Sequence, residues 1–185
     1  SLVEQMLELA RADSIRSDTV FSSVDFSRIV SDAVLPFEPV FFEKGLTLQT
    51  DIEEHIMIDG DSSRLRQVLD ILLDNAGKYS AAKGTVRVTL QRQSRGHCLL
   101  SVANDGREIP AEDLDNLFKR FYRADQARSR TGSFGLGLSI AENIVLRHKG
   151  KIWAESENGI NTFFVEFEMF RAEKKRRRGS NRQLH

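Results

Sequence analysis

Residues 61–80, DSSRLRQVLDILLDNAGKYS, carry the strongest helix signal in the chain. Asp61 or Ser62 can cap this helix, because either side chain can accept hydrogen bonds from the first backbone amides. Apolar residues then recur at helical spacing and form a single stripe, which comprises Leu65, Val68, Leu69, Leu72, Leu73 and Ala76. The stripe predicts a helix that packs one face into a core and exposes the other.

The end of this helix carries a group of polar side chains. Ile71, Asn75 and Tyr79 are spaced four residues apart and therefore share one face, with Lys78 beside it. An asparagine oxygen is a hard ligand that suits Mg²⁺ bound together with phosphate, and a lysine offers phosphate a point charge. The alternative is an exposed helix face on which Asp74 pairs with Lys78, and the helix taken alone favours this alternative.

The segments around this helix alternate between helix and strand periodicity. Further helices are predicted at residues 1–12, 27–44, 111–118 and 136–148. Pro36 and Pro39 interrupt the second of these, and Gly150 closes the last. Strands are predicted at residues 24–26, 46–52, 56–58, 85–93, 97–103, 151–157 and 162–169. Helices that alternate irregularly with adjacent antiparallel strands indicate an α+β fold in two layers.

A second polar segment follows the strand predicted at residues 97–103. Because side chains alternate along a strand, Asn104 shares the face of Leu100 and Val102, and Asp105 lies on the opposite face. If the larger apolar side chains point inward, Asn104 is the buried polar group that a purine edge needs for hydrogen bonding. The alternative is an Asn-Asp-Gly turn whose side chains cap their own backbone.

A third segment combines basic, aromatic and glycine residues. Aromatic and basic side chains interleave over residues 118–123, and residues 119–134 are expected to form a mobile loop. The stretch SFGLGLSI, residues 133–140, brings a glycine turn directly into a helix, whose first backbone amides suit phosphate. The stretch matches neither a Walker nor a Rossmann motif. The alternatives are an amphipathic helix end with a solvated basic side and an ordinary glycine turn.

The bulk composition excludes several classes of protein. The chain has 185 residues, enough for one domain with a core, and no apolar run reaches the roughly 20 residues of a membrane span. A net charge of zero argues against nucleic acid as a partner. A single cysteine excludes a disulfide framework and fits a cytosolic setting. Arg171 and residues 174–178 form a basic block, which indicates a solvated tail in preference to a contact with a membrane or nucleic acid.

Taken together and in this order, the segments resemble the catalytic and ATP-binding domain of bacterial sensor histidine kinases, within the wider GHKL group of ATPases. The N, G1, F and G2 boxes and the closing strand motif of that family correspond to residues 64–80, 104–110, 117–125, 132–138 and 161–164. The resemblance extends over residues 18–170. It implies a two-layer α/β sandwich with a mixed sheet, the Bergerat-type ATP-binding fold, and ATP and Mg²⁺ as cofactors.

The resemblance also implies roles for individual residues. Asn75 is implied as the Mg²⁺ ligand and, with Lys78 and Arg123, as a catalytic residue. Asn104 is implied at the adenine position, with Thr162 supporting that end of the site. The implied nucleotide-binding residues are Asn75, Lys78, Tyr79, Asn104, Gly106, Ile109, Phe121, Gly132, Gly135, Leu136, Gly137, Leu138 and Thr162.

An organisation larger than this chain is implied as well. Residues 1–17 correspond to the end of a dimerisation and phosphotransfer helix with its linker, residues 18–170 to the catalytic domain, and residues 171–185 to a disordered basic tail. The expected partners are the dimerisation domain of the same kinase and, through the full-length protein, a response regulator. The full-length protein is expected to be a homodimer anchored in the bacterial inner membrane, with this domain in the cytoplasm and the fragment itself monomeric.

Three residues depart from the family pattern. Ile71 lies one turn before Asn75, where the family often has an amide or a carboxylate, and Glu108 replaces a glycine of the G1 box. Asn104 replaces the usual aspartate, and since an amide both accepts and donates, we expect weaker rejection of guanine. No histidine lies in a phosphoacceptor context.

Three functions therefore remain open for the chain. The first is a phosphotransferase domain that acts on a histidine of a partner domain. The second is a nucleotide-binding regulatory module without kinase activity, to which the departures at Ile71 and Glu108 point. The third is a GHKL-type ATPase that transfers phosphate to water, against which Ile71 argues, because that chemistry needs a base near its position.

Overall fold

A five-stranded mixed sheet, covered on one face by helices, forms the centre of the protein. The computed structural model describes residues 1–14, 21–122 and 136–171. The strands are β1 (Ser22–Asp25), β2 (Thr47–Ile52), β3 (Met57–Gly60), β4 (Thr85–Arg92), β5 (His97–Asp105), β6 (Lys151–Glu157) and β7 (Ile160–Glu168). The helices are α1 (Leu2–Ser14), α2 (Phe26–Val34), α3 (Phe37–Glu43), α4 (Ser62–Tyr79), α5 (Ala111–Leu114) and α6 (Gly137–Arg147). The predicted α+β class with a mixed sheet is confirmed.

The main sheet has the strand order β2-β4-β5-β7-β6, and β1 pairs with β3 in a separate two-stranded sheet. β2 and β4 are parallel, whereas the other neighbours in the main sheet are antiparallel. We call the helix-covered side the inner face. Its apolar rows are Val86, Val88 and Leu90 on β4, Leu100 and Val102 on β5, and Phe163, Val165 and Phe167 on β7, all of them buried.

Helix α4 begins and packs as its sequence predicts. The carboxylate of Asp61 accepts hydrogen bonds from the backbone amides of Ser63 and Arg64, at 3.0 and 3.1 Å, and so caps the helix. All six residues of the predicted apolar stripe are buried. Burial of one leucine side chain stabilises a folded protein by about 1.5–3 kcal/mol. Burial of the apolar stripe is therefore the main reason that α4 packs with this face inward.

The helix predicted at residues 27–44 is divided into α2 and α3, because Pro36 cannot continue a helix and instead starts the next one. The strand predicted at residues 24–26 lies slightly earlier, as β1. The side chain of Asp25 accepts a hydrogen bond from the Arg28 amide at 3.1 Å. This cap ends the strand and places Phe26 at the first position of α2.

The helix predicted at residues 111–118 is shorter than expected, and this part of the prediction was wrong. Helix α5 ends at Leu114, and turns follow as far as residue 122. The side-chain amide of Asn116 donates to the backbone carbonyl of Glu112 at 2.8 Å. It takes an acceptor that a continuing helix would need for its own backbone bond, which explains the early end.

The end of α6 also differs from the prediction, since Lys149 rather than Gly150 adopts the left-handed conformation, with φ 57°. The Gly150 amide donates to the carbonyl of Val145 and the Lys149 amide to that of Leu146, at 2.9 and 3.0 Å, as in a Schellman motif. Gly150 is required for space instead, because a Cβ there would lie 2.6 Å from the ring of Phe167.

Helix α1 packs along α6 and buries Leu9, and Gln67 of α4 donates a hydrogen bond to Glu8. Val3, Met6 and Leu7 of the same helix are exposed. Among the helices that the structure describes, none has the length and apolarity to cross a bilayer. The predicted linker, most of the predicted loop and nearly all of the predicted tail lie outside the described residues, at 15–20, 123–135 and 172–185.

Candidate nucleotide site

The exposed end of α4 presents the first group of predicted site residues. Asn75 is half-buried, and Lys78 and Tyr79 are exposed. The Lys78 ammonium lies 2.8 Å from the Asp74 carboxylate, so the ion pair that we gave as the alternative is present. An exposed pair of this kind contributes at most about 1 kcal/mol, and a phosphate with more charge can displace Asp74. The ion pair is therefore compatible with phosphate binding by Lys78.

The start of α6 lies beside α4, one turn before Asn75. A Cβ added to Gly137 would lie 3.4 Å from a methyl group of Ile71. Leu136, which precedes the helix, is fully buried, and its carbonyl accepts a hydrogen bond from the hydroxyl of Ser139 at 2.8 Å. The positive end of the α6 dipole is thereby fixed near the polar face of α4, an arrangement that suits an anion.

A polar row crosses the inner face of the sheet where its apolar rows end. Asn104 of β5 is opposite Asn161 of β7, which is opposite Ser156 of β6. Asn104 and Asn161 are 2% and 4% exposed, so both are buried polar groups that need partners. We call Asn104, Asn161 and Ser156 the polar row. The sequence analysis predicted Asn104 at this buried position, and the structure confirms it.

Hydrogen bonds join the polar row to residues 106–109, the loop that follows β5. The Ile109 amide donates to the hydroxyl of Ser156 at 2.8 Å, and that hydroxyl donates to Oδ1 of Asn161 at 2.6 Å. Nδ2 of Asn161 donates to the carbonyl of Arg107 at 2.9 Å. The Gly106 amide donates to the carbonyl of Gly159 at 2.9 Å. The loop is thus attached to both strands of the β6–β7 hairpin.

Gly106 brings the loop into contact with the end of α4. A Cβ on this residue would lie 2.7 Å from the Tyr79 carbonyl and 2.9 Å from Nδ2 of Asn104. No side chain fits there without displacing backbone, so glycine is required for this close approach. The end of α4, residues 106–109 and the polar row therefore meet at one place, which brings together the first two of the three sequence segments.

Asp105 points to the outer face of the sheet, as the strand alternation predicted. Its carboxylate accepts hydrogen bonds from Arg87 and from the Thr85 amide, at 3.0 and 2.8 Å, and these bonds hold its pKa below the usual range. It does not cap its own turn. Nδ2 of Asn104 donates to the carbonyl of Asp105 at 3.2 Å. This bond holds the amide in one orientation and leaves Oδ1 available as an acceptor.

The aromatic residues that precede position 123 have different surroundings. Phe118 packs edge-on against Phe163, with ring centroids 6.1 Å apart. The Tyr122 hydroxyl is hydrogen-bonded to the carboxylate of Asp113, which raises the pKa of the tyrosine. Phe121 is 54% exposed and has a φ of 62°. An exposed aromatic ring on a constrained backbone is free to contact a ligand.

The structure does not bring every implied residue to this place. Thr162 is in register with Ala103 and Glu155, which puts it on the outer face, opposite to Asn104. Asn161, the preceding residue, occupies the inner position instead. Ile109 and Leu138 are half-buried beside the site elements. The remaining implied residues, Arg123, Gly132 and Gly135, lie outside the described residues.

Sequence reasoning missed Asn161 and Ser156 as site residues. The signal was present for Asn161, because it alternates in phase with Phe163, Val165 and Phe167 and so had to share their face. Ser156 could not be recognised in the same way, since its face depends on the register between β6 and β7.

The donor set fits Mg²⁺ that arrives with phosphate oxygens rather than a metal held by protein alone. Within the parts of the chain that the structure describes, no three His, Cys, Asp or Glu side chains lie close enough to hold a metal ion. Asn75 offers one neutral oxygen beside the positive end of α6. Mg²⁺ ordinarily keeps several water and phosphate ligands and needs few protein groups, so one amide suffices.

The single cysteine and the half-buried His148 make contacts that support the fold. Burial raises the pKa of the Cys98 thiol to about 11, which makes it a poor nucleophile. Nε2 of His148 accepts a hydrogen bond from the Asp61 amide at 3.0 Å, and its Nδ1 donates to the Ile144 carbonyl at 2.8 Å. His148 therefore joins the end of α6 to the start of α4, away from the site.

The mixed sheet, with α4 placed against both residues 106–109 and the start of α6, defines a nucleotide-binding domain of the histidine kinase and gyrase type. The profile of the family described as "Histidine kinase-, DNA gyrase B-, and HSP90-like ATPase" matches residues 60–173. The chain belongs to this family.

Among its relatives are a sensor protein and a sensor histidine kinase. The chain is 39% identical over 156 residues to the sensor protein DltS of Streptococcus agalactiae serotype V, covering 84% of this chain and 39% of that protein. It is 36% identical over 163 residues to the sensor histidine kinase YkoH of Bacillus subtilis, covering 87% of this chain and 34% of that protein. The chain thus spans less than two fifths of the length of these relatives.

Solved structures of histidine kinases share the fold. The catalytic domain of histidine kinase ThkA superimposes with a TM-score of 0.70 at 27% identity, over 80% of this chain and 95% of that one. Full-length ShkA, solved in complex with AMPPNP, superimposes with a TM-score of 0.80 at 25% identity, over 92% of this chain and 36% of that one.

Proposed function

We propose that this chain is the Mg-ATP-binding catalytic domain of a sensor histidine kinase, which donates the γ-phosphoryl group to a histidine on a partner domain. The observation that carries the proposal is that the end of α4 meets residues 106–109 beside the polar row, while Ile71, one turn before Asn75, meets the start of α6. Membership of the ATPase family and the names of its relatives support the same function.

At the base end, the adenine amino group would donate to Oδ1 of Asn104. That oxygen is the free acceptor of an amide whose Nδ2 is already bonded to the Asp105 carbonyl. An amide held in this orientation accepts from adenine N6 and opposes the carbonyl of guanine. Asn161 replaces Thr162 in our assignment of this end, because it shares the row of Asn104.

At the phosphate end, Asn75 would ligate Mg²⁺ and Lys78 would leave Asp74 to bind phosphate. The metal neutralises charge that develops on the phosphates during transfer. Carried over from the family motifs, Tyr79, Phe121, Arg123, Gly132 and Gly135 complete this end, together with Leu136, Gly137 and Leu138 at the start of α6.

Ile71 favours transfer to a partner group over hydrolysis. Its side chain packs towards Gly137, at the position where the family often carries a carboxylate that could act as a base. An alkyl group accepts no proton, so water entering here gains no help from this position. The histidine that receives the phosphoryl group would supply its own nucleophilic nitrogen and needs no such base. This contrast separates the proposed activity from that of a GHKL ATPase.

The proposed partners follow from the proposed activity. We assign α1 to the end of the dimerisation and phosphotransfer helix, and its exposed Val3, Met6 and Leu7 support a helical partner there. The full-length protein would be a membrane-anchored homodimer that passes the phosphoryl group to a response regulator, whereas this fragment would be monomeric and bind no nucleic acid.

Transfer to a separate phosphoacceptor domain tests the proposal. We expect labelled ATP with Mg²⁺ to label a supplied dimerisation helix pair slowly, because the covalent tether and its high effective concentration are missing. The chain incubated alone should gain no acid-labile label. Binding of ADP without any transfer would support the second candidate, a regulatory module, to which Glu108 in the G1 loop points.

A further inference from the structure

We infer that Ser156 and Asn161 are positioning residues that fix the backbone of residues 106–109 in the shape that receives the nucleobase. The inference rests on the proposed function and deepens it. Neither residue would touch the reacting phosphates, and their contribution would pass through the loop and through Asn104. The assignment places the contribution of the β6–β7 hairpin at Ser156 and Asn161, rather than at Thr162, which the family motif had implied.

The hydrogen bonds between the two side chains and the loop have a defined direction. Ser156 accepts from the Ile109 amide, so its own hydroxyl hydrogen is available to donate to Oδ1 of Asn161. With that oxygen occupied, Nδ2 of Asn161 points to the Arg107 carbonyl. If the Asn161 amide were reversed, its Nδ2 would face the hydroxyl hydrogen of Ser156, and its Oδ1 would face the carbonyl oxygen of Arg107. Two donors would then meet at one end of the amide and two acceptors at the other. The Ile109 amide thus fixes, through Ser156, the orientation of the Asn161 side chain. That side chain in turn holds the carbonyl of Arg107, two residues before Ile109.

This arrangement satisfies backbone groups that the loop cannot satisfy by itself. Residues 106–109 belong to no helix or strand, so their amides and carbonyls have no regular partners. The clamp, as we call Ser156 and Asn161, bonds one amide and one carbonyl, and Gly159 bonds a second amide. A loop held at three points loses little further conformational freedom when a ligand binds, which favours affinity.

Gly106 couples the clamp to Asn104. A Cβ on Gly106 would lie 2.9 Å from Nδ2 of Asn104 and 3.2 Å from Nδ2 of Asn161. The two amides therefore lie against the same small residue, one from each neighbouring strand. If the loop shifts, the surface against which Asn104 rests shifts with it. Loss of the clamp should consequently weaken recognition of the base while leaving the phosphate end unchanged.

The test uses Ser156→Ala and Asn161→Ala in the whole chain, with Ser156→Thr as a rescue that keeps the hydroxyl. Ser101→Ala is the matched control, because its hydroxyl makes a 2.5 Å bond to Thr89 on the outer face. Calorimetry measures the affinity for ADP with and without Mg²⁺, and amide exchange followed by NMR reports on Ile109.

We expect the two alanine variants to bind ADP about 10-fold more weakly and to exchange the Ile109 amide at least 10-fold faster. The ratio of ADP affinities with and without Mg²⁺ should stay that of the parent, whereas general damage to the fold would change it as well. Ser156→Thr should restore both properties, and Ser101→Ala should match the parent.

Three results would contradict the proposals, each in a different way. If the parent binds ADP and both alanine variants bind it equally well, the positioning role is overturned and the proposed function stands. If the parent itself does not bind ADP, the proposed function fails and the inference fails with it. Loss of ADP affinity together with loss of the Mg²⁺ ratio would also overturn a role confined to the base end.

Discussion

At the base end of the proposed site, Ser156 and Asn161 are hydrogen-bonded to each other and to the loop at residues 106–109. At the phosphate end, Lys78 is paired instead with Asp74 of its own helix. The base end is buried and its groups already have the positions that a ligand needs. The phosphate end is open, and Lys78 must exchange one partner for another when phosphate arrives. The same nucleotide would therefore meet a preformed surface at one end and adaptable side chains at the other.

The difference follows from where each end is built. Asn104, Asn161 and Ser156 project from three adjacent strands. The pairing of these strands fixes the distances between the three side chains, because the spacing of strands in a sheet is constant. Lys78 and Tyr79 project from the last turn of a helix towards solvent, where long side chains keep their rotamer freedom. Recognition of the base should therefore be sensitive to substitution of the residues that hold it. At the phosphate end, charged side chains should have their effect through their contacts with the bound ligand. Four predictions address this contrast.

The largest effect is expected at the phosphate end, from Asn75→Ala. Removing the amide oxygen leaves Mg²⁺ without its proposed protein ligand, so phosphotransfer to a supplied acceptor domain should fall by about 100-fold or more. The affinity for ADP should become the same with and without Mg²⁺, as measured by calorimetry. Asn116→Ala serves as the control, because the side-chain hydrogen bonds described for that asparagine are to Glu112 of α5 and to Tyr122 rather than to the end of α4. An Asn75→Ala variant that keeps its Mg²⁺ dependence would refute the metal assignment.

The second prediction concerns the junction between the two ends, at Gly106. In Gly106→Ala, the new methyl group would meet the Tyr79 carbonyl at 2.7 Å, and backbone must move. We expect a loss of about 1–3 kcal/mol in the free energy of unfolding, as for other overpacked sites. Denaturant titration measures this loss. Gly137→Ala provides the contrast, because its methyl group meets Ile71 at an ordinary 3.4 Å and should not destabilise the fold. Equal stability of the two variants would show that the close approach is not restrictive.

The third prediction concerns pH and the histidine that joins α4 to α6. Burial lowers the pKa of His148 below its ordinary 6.5, although the carboxylates of Asp59 and Asp61 oppose the shift. The unfolded chain therefore binds a proton at higher pH than the native protein does. The stability from this group is complete above pH 6.5 and is lost as the pH falls below it, with a slope of at most about 1.4 kcal/mol per pH unit.

Unfolding titrations across this range, with His148→Gln and the exposed control His55→Gln, measure the effect. The first variant should lack the slope and the second should keep it. Because His148 lies away from the polar row, ADP selectivity should not change over the same pH range. A slope that persists without His148 would assign the effect to another group.

The smallest effect is expected from Asn104→Asp, which compares bases at the preformed end. A carboxylate only accepts hydrogen bonds, so it should reject guanine more strongly than an amide does. Because Nδ2 of Asn104 is already held by the Asp105 carbonyl, we expect a gain in selectivity of only about 1 kcal/mol. Competition between ADP and GDP for both forms measures it. Unchanged selectivity would mean that this position does not read the base.

Local periodicity was sufficient to predict most of the elements and one face of the site. The stripe of α4, its cap at Asp61 and the inward orientation of Asn104 all depend on residues a few positions apart, and all were confirmed. The errors at Leu114 and Lys149 have a local cause as well. After Leu114, the Asn116 side chain competes with the backbone for the Glu112 carbonyl. At the end of α6, Lys149 adopts the left-handed conformation that glycine usually adopts.

What the sequence could not give is the register between distant strands. β5 pairs with β7, and the intervening chain contains α5, α6 and β6, so no local pattern places Asn104 opposite Asn161. The same register puts Thr162 on the outer face, although the family motif had suggested it for the adenine end. The hydrogen bond that Arg87 donates to Asp105 depends on the pairing of β4 with β5, and no local sequence pattern indicates it.

The polar row also affects the stage of synthesis at which the protein becomes able to bind nucleotide. Its three members come from β5, β6 and β7, and the last of them to leave the ribosome is Asn161, near the end of the folded chain. A nascent chain that has completed α4 and β5 already carries Asn75, Lys78 and Asn104, yet its central strand still lacks its β7 neighbour. Non-local pairings of this kind form late. Nucleotide capture should accordingly begin only after β7 has joined the sheet, which protects unfinished chains from binding ATP.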